Sequence, residues 1–232
     1  MVPMNNFIIG LAVIVSTILI YWGSVTFYKK CRHIYTAPII SSTVVTIVIL
    51  LIFQIPYETY MIGGQWIDHL LGPAVVGLAY PLYQYRNMLK KMLLPVVTGT
   101  FIGAVVGITS GLFLSKWAGF SELIINSIVP KSVTTPVAMA IAETSGGAMP
   151  LAAVFVMIAG IGGVLIHPFV LRYFRLNHYI GRGVGMGSAS HAIGTAISME
   201  RDDLEGSIST IAMVLSAVFV SIIAPGLTVL LL

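Results

Sequence analysis

The chain has 232 residues, of which 57% are hydrophobic and only 9% are charged, and its formal net charge at pH 7 is +4. Its mean hydropathy is +0.98, far above what the core of a soluble protein of this length requires. Composition therefore excludes a soluble globular protein and predicts an integral membrane protein. Because the chain has no basic, aromatic-rich surface segment, we expect no nucleic-acid partner.

Apolar segments follow one another along almost the whole chain. A bilayer core is about 30 Å thick, so a run of about 20 apolar residues can cross it as a helix. We count seven or eight segments, at 7–28, 37–55, 66–83, 92–117, 121–145, 149–171, 180–199 and 206–231. They predict an all-α polytopic membrane protein with a single transmembrane domain over 1–232. No Lys or Arg precedes the first segment, which predicts a retained helix rather than a cleaved signal peptide.

The charged residues of the loops predict the topology. Lys and Arg are concentrated in "YKKCRH", "YQYRNMLKK" and "LRYFRLNHYIGR", whereas "YETYMIGG" and "MERDDLEG" carry little net positive charge. The positive-inside rule predicts that the first three loops are cytoplasmic and that the other two, with the N-terminus, are outside. Segment 121–145 must then begin and end outside, so we predict a re-entrant hairpin there.

The stretch "PKSVTTPVAMAIAETSGG", residues 130–147, contains the predicted break of this hairpin. Pro130 and Pro136 interrupt helical hydrogen bonding, which membranes tolerate only where the freed groups are buried in protein or line a cavity. On a helical wheel the polar and small residues share one face: Lys131, Thr134, Thr135, Ala138 and Ala142. We assign a small-anion site to Lys131, Ser132, Thr134 and Thr135. The alternative is that Lys131 extends to the interface and the threonines bond backbone carbonyls.

A second group of polar and small residues lies in "GRGVGMGSASHAIGTAISME", residues 181–200. At helical spacing, one face carries Gly187, Ser190, His191, Gly194 and Ser198, with Thr195 beside it. We add Ser190, His191 and Thr195 to the substrate site, and His191 is also a candidate proton site. The alternative is a packing helix with one hydrogen-bonded histidine. Glu143 is another candidate proton site, although "ETSGG" is equally typical of a loop.

Prolines and glycines predict further breaks and close helix contacts. The third segment contains "GPAVVGLAYP", so we assign broken-helix positions to Pro73 and Pro81, as to Pro130, Pro136, Gly187 and Gly194. Gly99, Gly103, Gly107 and Gly111 recur every four residues, which favours a close contact within the chain or between subunits. A shift of 117 residues superimposes segments two to four on six to eight in opposite directions, which predicts an inverted repeat with halves at about 1–117 and 118–232.

Enzyme chemistry is not indicated by the sequence. HExxH, CxxC, GxGxxG and Walker patterns do not occur in it, so we expect no metal, no cofactor and no enzymatic activity. Ser190 and His191 are neighbours that diverge by about 100° on a helix, which is a poor geometry for a nucleophile and its base.

Four ordered motifs resemble the LrgB/CidB family: "IPYETYMIGGQWIDHLLGPAVVGLAYPLY", "PKSVTTPVAMAIAETSGG", "RYFR" and "GRGVGMGSASHAIGTA". The resemblance covers nearly the whole chain. It implies a multi-pass protein of the bacterial inner membrane that works with a small LrgA/CidA-type membrane protein. It also implies one of two functions. The first is holin-like or antiholin-like control of murein hydrolases and lysis, and the second is transport of small carboxylates, as in pyruvate uptake proteins and the plastid glycolate/glycerate transporter.

Broken helices and polar groups at membrane depth are typical of transporters rather than of pores that assemble from short spans. We therefore predict a transporter or facilitator of small monocarboxylates, such as pyruvate, glycolate or lactate, which acts as a homo-oligomer and influences lysis indirectly. The alternative is a pore-type regulator of autolysis that acts through its partner.

Overall fold

The computed structural model describes residues 4–31, 36–70, 73, 76 and 79–231. Within these residues the chain forms eleven helices and no strand. It divides into two compact units, residues 1–79 and 80–232. The all-α class predicted from the sequence is confirmed.

The first unit contains three helices: α1 (Met4–Lys30), α2 (Pro38–Ile52) and α3 (Tyr57–Asp68). Helices α1 and α3 pack closely because glycines lie at their contact. A Cβ atom at Gly63 would lie 2.5 Å from the carbonyl oxygen of Gly10. The hydroxyls of Thr17 and Tyr60 also meet between these helices, at 3.2 Å.

The predicted break in the third segment falls largely outside the described residues, since Gly72 and Gly77 are among those not described. Pro73 is helical and exposed, and Pro81 lies within α4 (Ala79–Gln84). Helix α5 (Arg86–Lys91) follows and leads into the long helices of the second unit.

Three long helices organise the second unit: α6 (Leu93–Trp117), α9 (Met149–Tyr173) and α11 (Asp203–Leu231). Together with residues 6–30 of α1, they are long and apolar enough to cross a membrane, whereas α2 is shorter. These four candidate spans support a multi-pass membrane protein and are fewer than the seven or eight segments predicted.

Helices α6 and α11 run in the same direction. Near their first turns, Val96 and Ile208 belong to one apolar cluster. At their last turns, the Lys116 ammonium donates to the carbonyl of Leu231 at 2.9 Å. The 117-residue inverted repeat requires segments four and eight to be antiparallel, so this pairing is wrong. Helix α9 runs in the opposite direction. Ala152, in its first turn, belongs to the same apolar cluster as Leu112 and Ala224, which lie in the second halves of α6 and α11.

Residues 122–144 form a first helical hairpin, as predicted. Helix α7 (Glu122–Ile128) leads into a turn over 129–134, and α8 (Thr135–Thr144) begins with a proline in its first turn. The chain that follows α8 meets the last turn of α7, because the Ala148 N–H donates to Ser127 Oγ at 2.8 Å. A Cβ atom at Gly147 would lie 2.9 Å from the backbone of Asn126 and Ser127. The chain therefore folds back on α7 instead of continuing away from it.

Residues 179–201 form a second hairpin, which the sequence did not predict. Helix α10 (Tyr179–Arg201) is broken at His191, whose φ of 41° and ψ of −131° lie outside the helical region. Arg182, near its start, and Arg201, at its end, both pair with Glu205. Segment 180–199 thus folds back instead of crossing once. The loop "MERDDLEG" consequently lies at the same end as "LRYFRLNHYIGR", contrary to the predicted topology.

The second unit thus contains the same arrangement twice: a long helix followed by a hairpin. Each bound of α9 lies 56 residues after the corresponding bound of α6, and each bound of the second hairpin lies 57 residues after that of the first. Since α6 and α9 are antiparallel, the two copies have opposite orientations. The repeat predicted from hydropathy had a shift of 117 residues and paired segments two to four with six to eight. The observed repeat has a shift of 56 or 57 residues and pairs α6 and the first hairpin with α9 and the second hairpin.

Candidate functional site

The glycine face of α6 receives both hairpins. A Cβ atom at Gly103 would lie 3.1 Å from Ser188 Oγ of the second hairpin, and one at Gly107 would lie 3.5 Å from Ser132 Oγ of the first. Gly99 similarly faces Val184. The glycine stripe therefore serves contacts within the chain, one of the two alternatives that the sequence left open.

Lys131 lies in the turn of the first hairpin and reaches α6. Its ammonium donates to the carbonyl of Gly107 at 2.8 Å, and a Cβ atom at Gly111 would lie 2.5 Å from its Nζ. Among the described residues, no carboxylate lies within ion-pair distance of it. The absence of side chains on this face of α6 is what allows a lysine to lie against the helix.

The predicted helical face over residues 131–142 is wrong in part. Helix α8 begins at Thr135, and Thr134 precedes it with an extended ψ of 150°. Lys131, Ser132 and Thr134 are therefore presented by a turn and not by a helix. Ser132 is only 6% exposed, and its hydroxyl has no hydrogen-bond partner among the described residues. Thr134 and Thr135 are partly buried at the same turn.

The break of the second hairpin presents Ser190 and His191 to α9. His191 is 3% exposed, and its Nε2 lies 3.0 Å from the carbonyl oxygen of Val156. A Cβ atom at Gly160 would lie 2.7 Å from the same nitrogen, and one at Gly163 would overlap Ser190 Oγ. The glycines of α9 thus leave space for the tip of the second hairpin, as the glycines of α6 leave space for the tip of the first.

Thr195 ties the second limb of this hairpin to its tip and to α11. Its hydroxyl lies 2.8 Å from the carbonyl oxygen of His191, to which it donates, and 2.9 Å from Ser209 Oγ. Gly187, on the first limb, also faces Ser209, since a Cβ atom there would overlap its carbonyl oxygen. The break lies at His191, between the predicted positions Gly187 and Gly194.

The two tips approach the same part of the unit. Ser132 and Ser188 face glycines that are one turn apart on α6, about 6 Å along its axis. Val156 of α9 contacts both tips. Its carbonyl oxygen lies 3.0 Å from His191 Nε2 of the second hairpin, and its side chain belongs to the apolar cluster that contains Val133 of the first. The structure therefore brings the predicted residues of the two hairpins to neighbouring positions.

Glu143 is not part of this group. It is exposed in the last turn of α8, about 12 Å along the helix axis from Thr135 at the tip. Pro130, by contrast, lies in the turn that carries Lys131, and Pro136 lies in the first turn of α8.

An ion cluster at the open end of the second hairpin was not predicted as a site. The carboxylate of Glu205 is fully buried between Arg182, at 2.8 Å, and Arg201, at 3.3 Å. Asp202 accepts from the Glu205 N–H at 2.8 Å. The signal in the sequence was the presence of three charged residues close to apolar segments, which the sequence analysis used only for topology.

Comparison with known proteins identifies the family. The family model for LrgB-like proteins matches residues 17–230. The chain belongs to the LrgB family. It is 40% identical to protein YxaC of Bacillus subtilis over 222 residues, which cover 96% of each chain.

Other LrgB-family relatives carry a descriptive name. The chain is 33% identical to "Holin-like protein CidB" of Staphylococcus epidermidis and 32% identical to that of Staphylococcus aureus, in each case over 227 residues covering 98% of this chain and 99% of the relative. The resemblance predicted from the sequence motifs is confirmed. No solved structure matches the chain significantly.

Proposed function

We propose that this LrgB-family protein transports small monocarboxylates across the bacterial cell membrane, at a site formed by the tips of its two hairpins. The observation that supports this most is Lys131, a partly buried cation whose ammonium meets a backbone carbonyl and no described carboxylate. A charge held away from water is costly unless it is paired. A substrate carboxylate would supply the missing counter-charge.

The charge and size of the site favour a small monoanion. One ammonium balances one carboxylate, and the hydroxyls of Ser132, Thr134 and Thr135 can donate to its oxygens or to an adjacent keto or hydroxyl group. Val133 and Val156 are buried beside the tips, which favours a short apolar substituent. Pyruvate, lactate and glycolate have this chemistry.

The arrangement of two oppositely oriented hairpins supports transport rather than a static role. In transporters with inverted repeats, substrates bind near the midplane where interrupted helices meet. In this proposal the first hairpin closes the site toward one side of the membrane and the second closes it toward the other. His191 contributes a hydrogen bond and serves as the proton site, with Glu143 as a second candidate.

Reconstitution in liposomes tests the proposal. We expect saturable accumulation of labelled pyruvate, lactate or glycolate, and its loss in Lys131→Met and in His191→Ala. Lys91→Met and His69→Ala are matched controls, because both residues are exposed, and they should transport normally. Normal uptake by both site variants would disprove the assignment.

A second candidate function is suggested by the relatives named holin-like protein CidB. In it, the protein regulates murein hydrolases and lysis as part of a pore, acting with a small LrgA/CidA-type partner and as a homo-oligomer. Liposomes that release large dyes, with no saturable uptake, would favour this function. Under the transport proposal, any effect on lysis follows from carboxylate and proton flux.

A further inference from the structure

Ser216 of α11 carries a buried hydroxyl group without a hydrogen-bond partner. The residue is completely buried, and its Oγ has no partner among the described residues. Every other serine and threonine of α11 has one. Most donate to the carbonyl four residues earlier, and one bonds the hydroxyl of Thr195: Ser207, Thr210, Ser221 and Thr228, and Ser209. Since Ser216 does not bond its own helix in this way, its hydroxyl is directed toward another partner, and an unpaired buried hydroxyl indicates a ligand.

The break of the second hairpin lies beside Ser216. The first limb of this hairpin runs along α11 in the same direction, because Gly183 faces Ile208 and Gly187, one turn later, faces Ala212. One further turn leads from Gly187 to the break and from Ala212 to Ser216. The hydroxyl of Ser216 is therefore placed at the tip of the second hairpin.

The tip of the first hairpin lies near Ser216 as well. Val220, one turn further along α11, belongs to the same apolar cluster as Val133 of that tip. Ser132, which precedes Val133, is 6% exposed and carries another unpaired hydroxyl. Its neighbour Lys131 carries the ammonium that we propose binds the substrate carboxylate. Ser216 thus adds a hydroxyl from a third element to the candidate site.

Resting on the proposed transport function, we infer that Ser216 binds the oxygen atom at C2 of the substrate and so selects 2-oxo and 2-hydroxy monocarboxylates. A serine hydroxyl both donates and accepts, and it can therefore pair with a keto oxygen or with a hydroxyl group. An acid that lacks this oxygen, such as propionate, would leave the buried hydroxyl of Ser216 unpaired. A site that hydrogen-bonds a polar group of its substrate discriminates strongly against the analogue without that group.

Competition with labelled pyruvate for uptake into liposomes tests the assignment. Propionate resembles pyruvate without the C2 oxygen, and we expect it to compete about a hundredfold more weakly than unlabelled pyruvate. Ser216→Ala should weaken pyruvate about tenfold and leave propionate unchanged, because only pyruvate loses a hydrogen bond. Ser207→Ala is the matched control and should keep the full preference, since Ser207 is equally buried but donates to the carbonyl of Asp203.

Thermal unfolding of the purified protein in detergent gives a second measurement, which does not depend on transport. A ligand that binds the folded state raises the unfolding temperature. Pyruvate should do so at about a hundredfold lower concentration than propionate, and Ser216→Ala should require about tenfold more pyruvate than the unmodified protein. Without ligand, Ser216→Ala should be at least as stable as the unmodified protein, because it removes an unpaired buried hydroxyl. Ser216→Cys, with a weaker donor of similar size, should change in the same direction if Ser216→Ala does not fold.

Several results would overturn the inference. Equal competition by propionate and pyruvate would do so, as would an unchanged preference for pyruvate in both Ser216 variants. A loss of preference in Ser207→Ala as large as that in Ser216→Ala would show that the effect is not specific to this hydroxyl.

The two proposals fail separately. Absence of uptake in liposomes, with stabilisation by pyruvate that depends on Ser216, would remove the transport function and leave the binding site. Saturable uptake of pyruvate without discrimination against propionate would remove the role of Ser216 alone.

Discussion

The first hairpin breaks between two prolines, and a neutral hydrogen bond joins its exit to the last turn of its first helix. The second breaks at a histidine, and a buried carboxylate and two arginines join its two ends. A neutral hydrogen bond contributes about 1 kcal/mol of net stability. Breaking a buried ion pair by removing one partner costs about 3 to 5 kcal/mol. The first hairpin is therefore held together by a weaker interaction than the second.

Cysteine labelling gives the largest expected difference, because its outcome is all or none. In a Cys31→Ser background, which has no other cysteine, Ser121→Cys and Thr144→Cys should react from one side of the membrane. Asn177→Cys and Glu200→Cys should react from the other side, since each of the two segments folds back instead of crossing once. Impermeant maleimide added to sealed vesicles measures this. Labelling of Asn177→Cys and Glu200→Cys from opposite sides would instead support a single crossing.

Glu205→Ala should destabilise the second hairpin most. The variant leaves two guanidinium groups without their carboxylate, and we expect a loss of about 3 kcal/mol in the free energy of unfolding, the lower limit for a buried pair, because both arginines keep contact with solvent. Unfolding in mixed detergent micelles measures it. Glu200→Ala, near the end of α10 and exposed, is the control, and an equal loss in both variants would contradict the role of the ion cluster.

Gly187→Ala should destabilise the contact of the second hairpin with α11. The added methyl group would overlap the carbonyl oxygen of Ser209 and lie 2.9 Å from the Cβ of Ala212. We expect a cost of about 2 kcal/mol from overpacking. Gly185→Ala, which meets nothing within 4 Å, should be neutral or slightly stabilising, because alanine favours helix. Thermal unfolding of the two variants side by side tests the prediction, which a stable Gly187→Ala would refute.

Ser127→Ala should have the smallest effect. It removes the hydroxyl that accepts from the Ala148 N–H, and we expect a loss of about 1 kcal/mol. Ser121→Ala is the matched control, because Ser121 is exposed and its side chain makes no capping hydrogen bond. A loss in Ser127→Ala as large as that in Glu205→Ala, measured by the same unfolding assay, would remove the distinction between the two hairpins.

The first hairpin could be predicted from the sequence because proline residues mark its break. Pro130 and Pro136 limit the backbone by their own covalent structure, and the loop charges required an even number of crossings. The second break was predicted only approximately, from Gly187 and Gly194, and it lies between them at His191. A φ of 41° at His191 is imposed by packing against α9 and α11, and no local preference of histidine indicates it.

The charge count failed at the second hairpin for a related reason. Arg201 stands beside Asp202 and Asp203, so the loop has little net charge and resembles an outside loop. Only the structure shows that Glu205 joins Arg201 to Arg182. In the candidate site, Lys131 and His191 were identified from the sequence, but their hydrogen-bond partners were not. Those partners are the backbone carbonyls of Gly107 and Val156, and every residue type has such a carbonyl.

The glycine face of α6 has an energetic consequence for any movement of the first hairpin. Gly103, Gly107 and Gly111 present bare backbone at successive turns, about 6 Å apart. An ammonium that leaves the carbonyl of Gly107 and moves by one turn toward Gly103 meets Ser188 of the second hairpin, which lies over that glycine. Any such shift of Lys131 along α6 therefore requires the second hairpin to move as well.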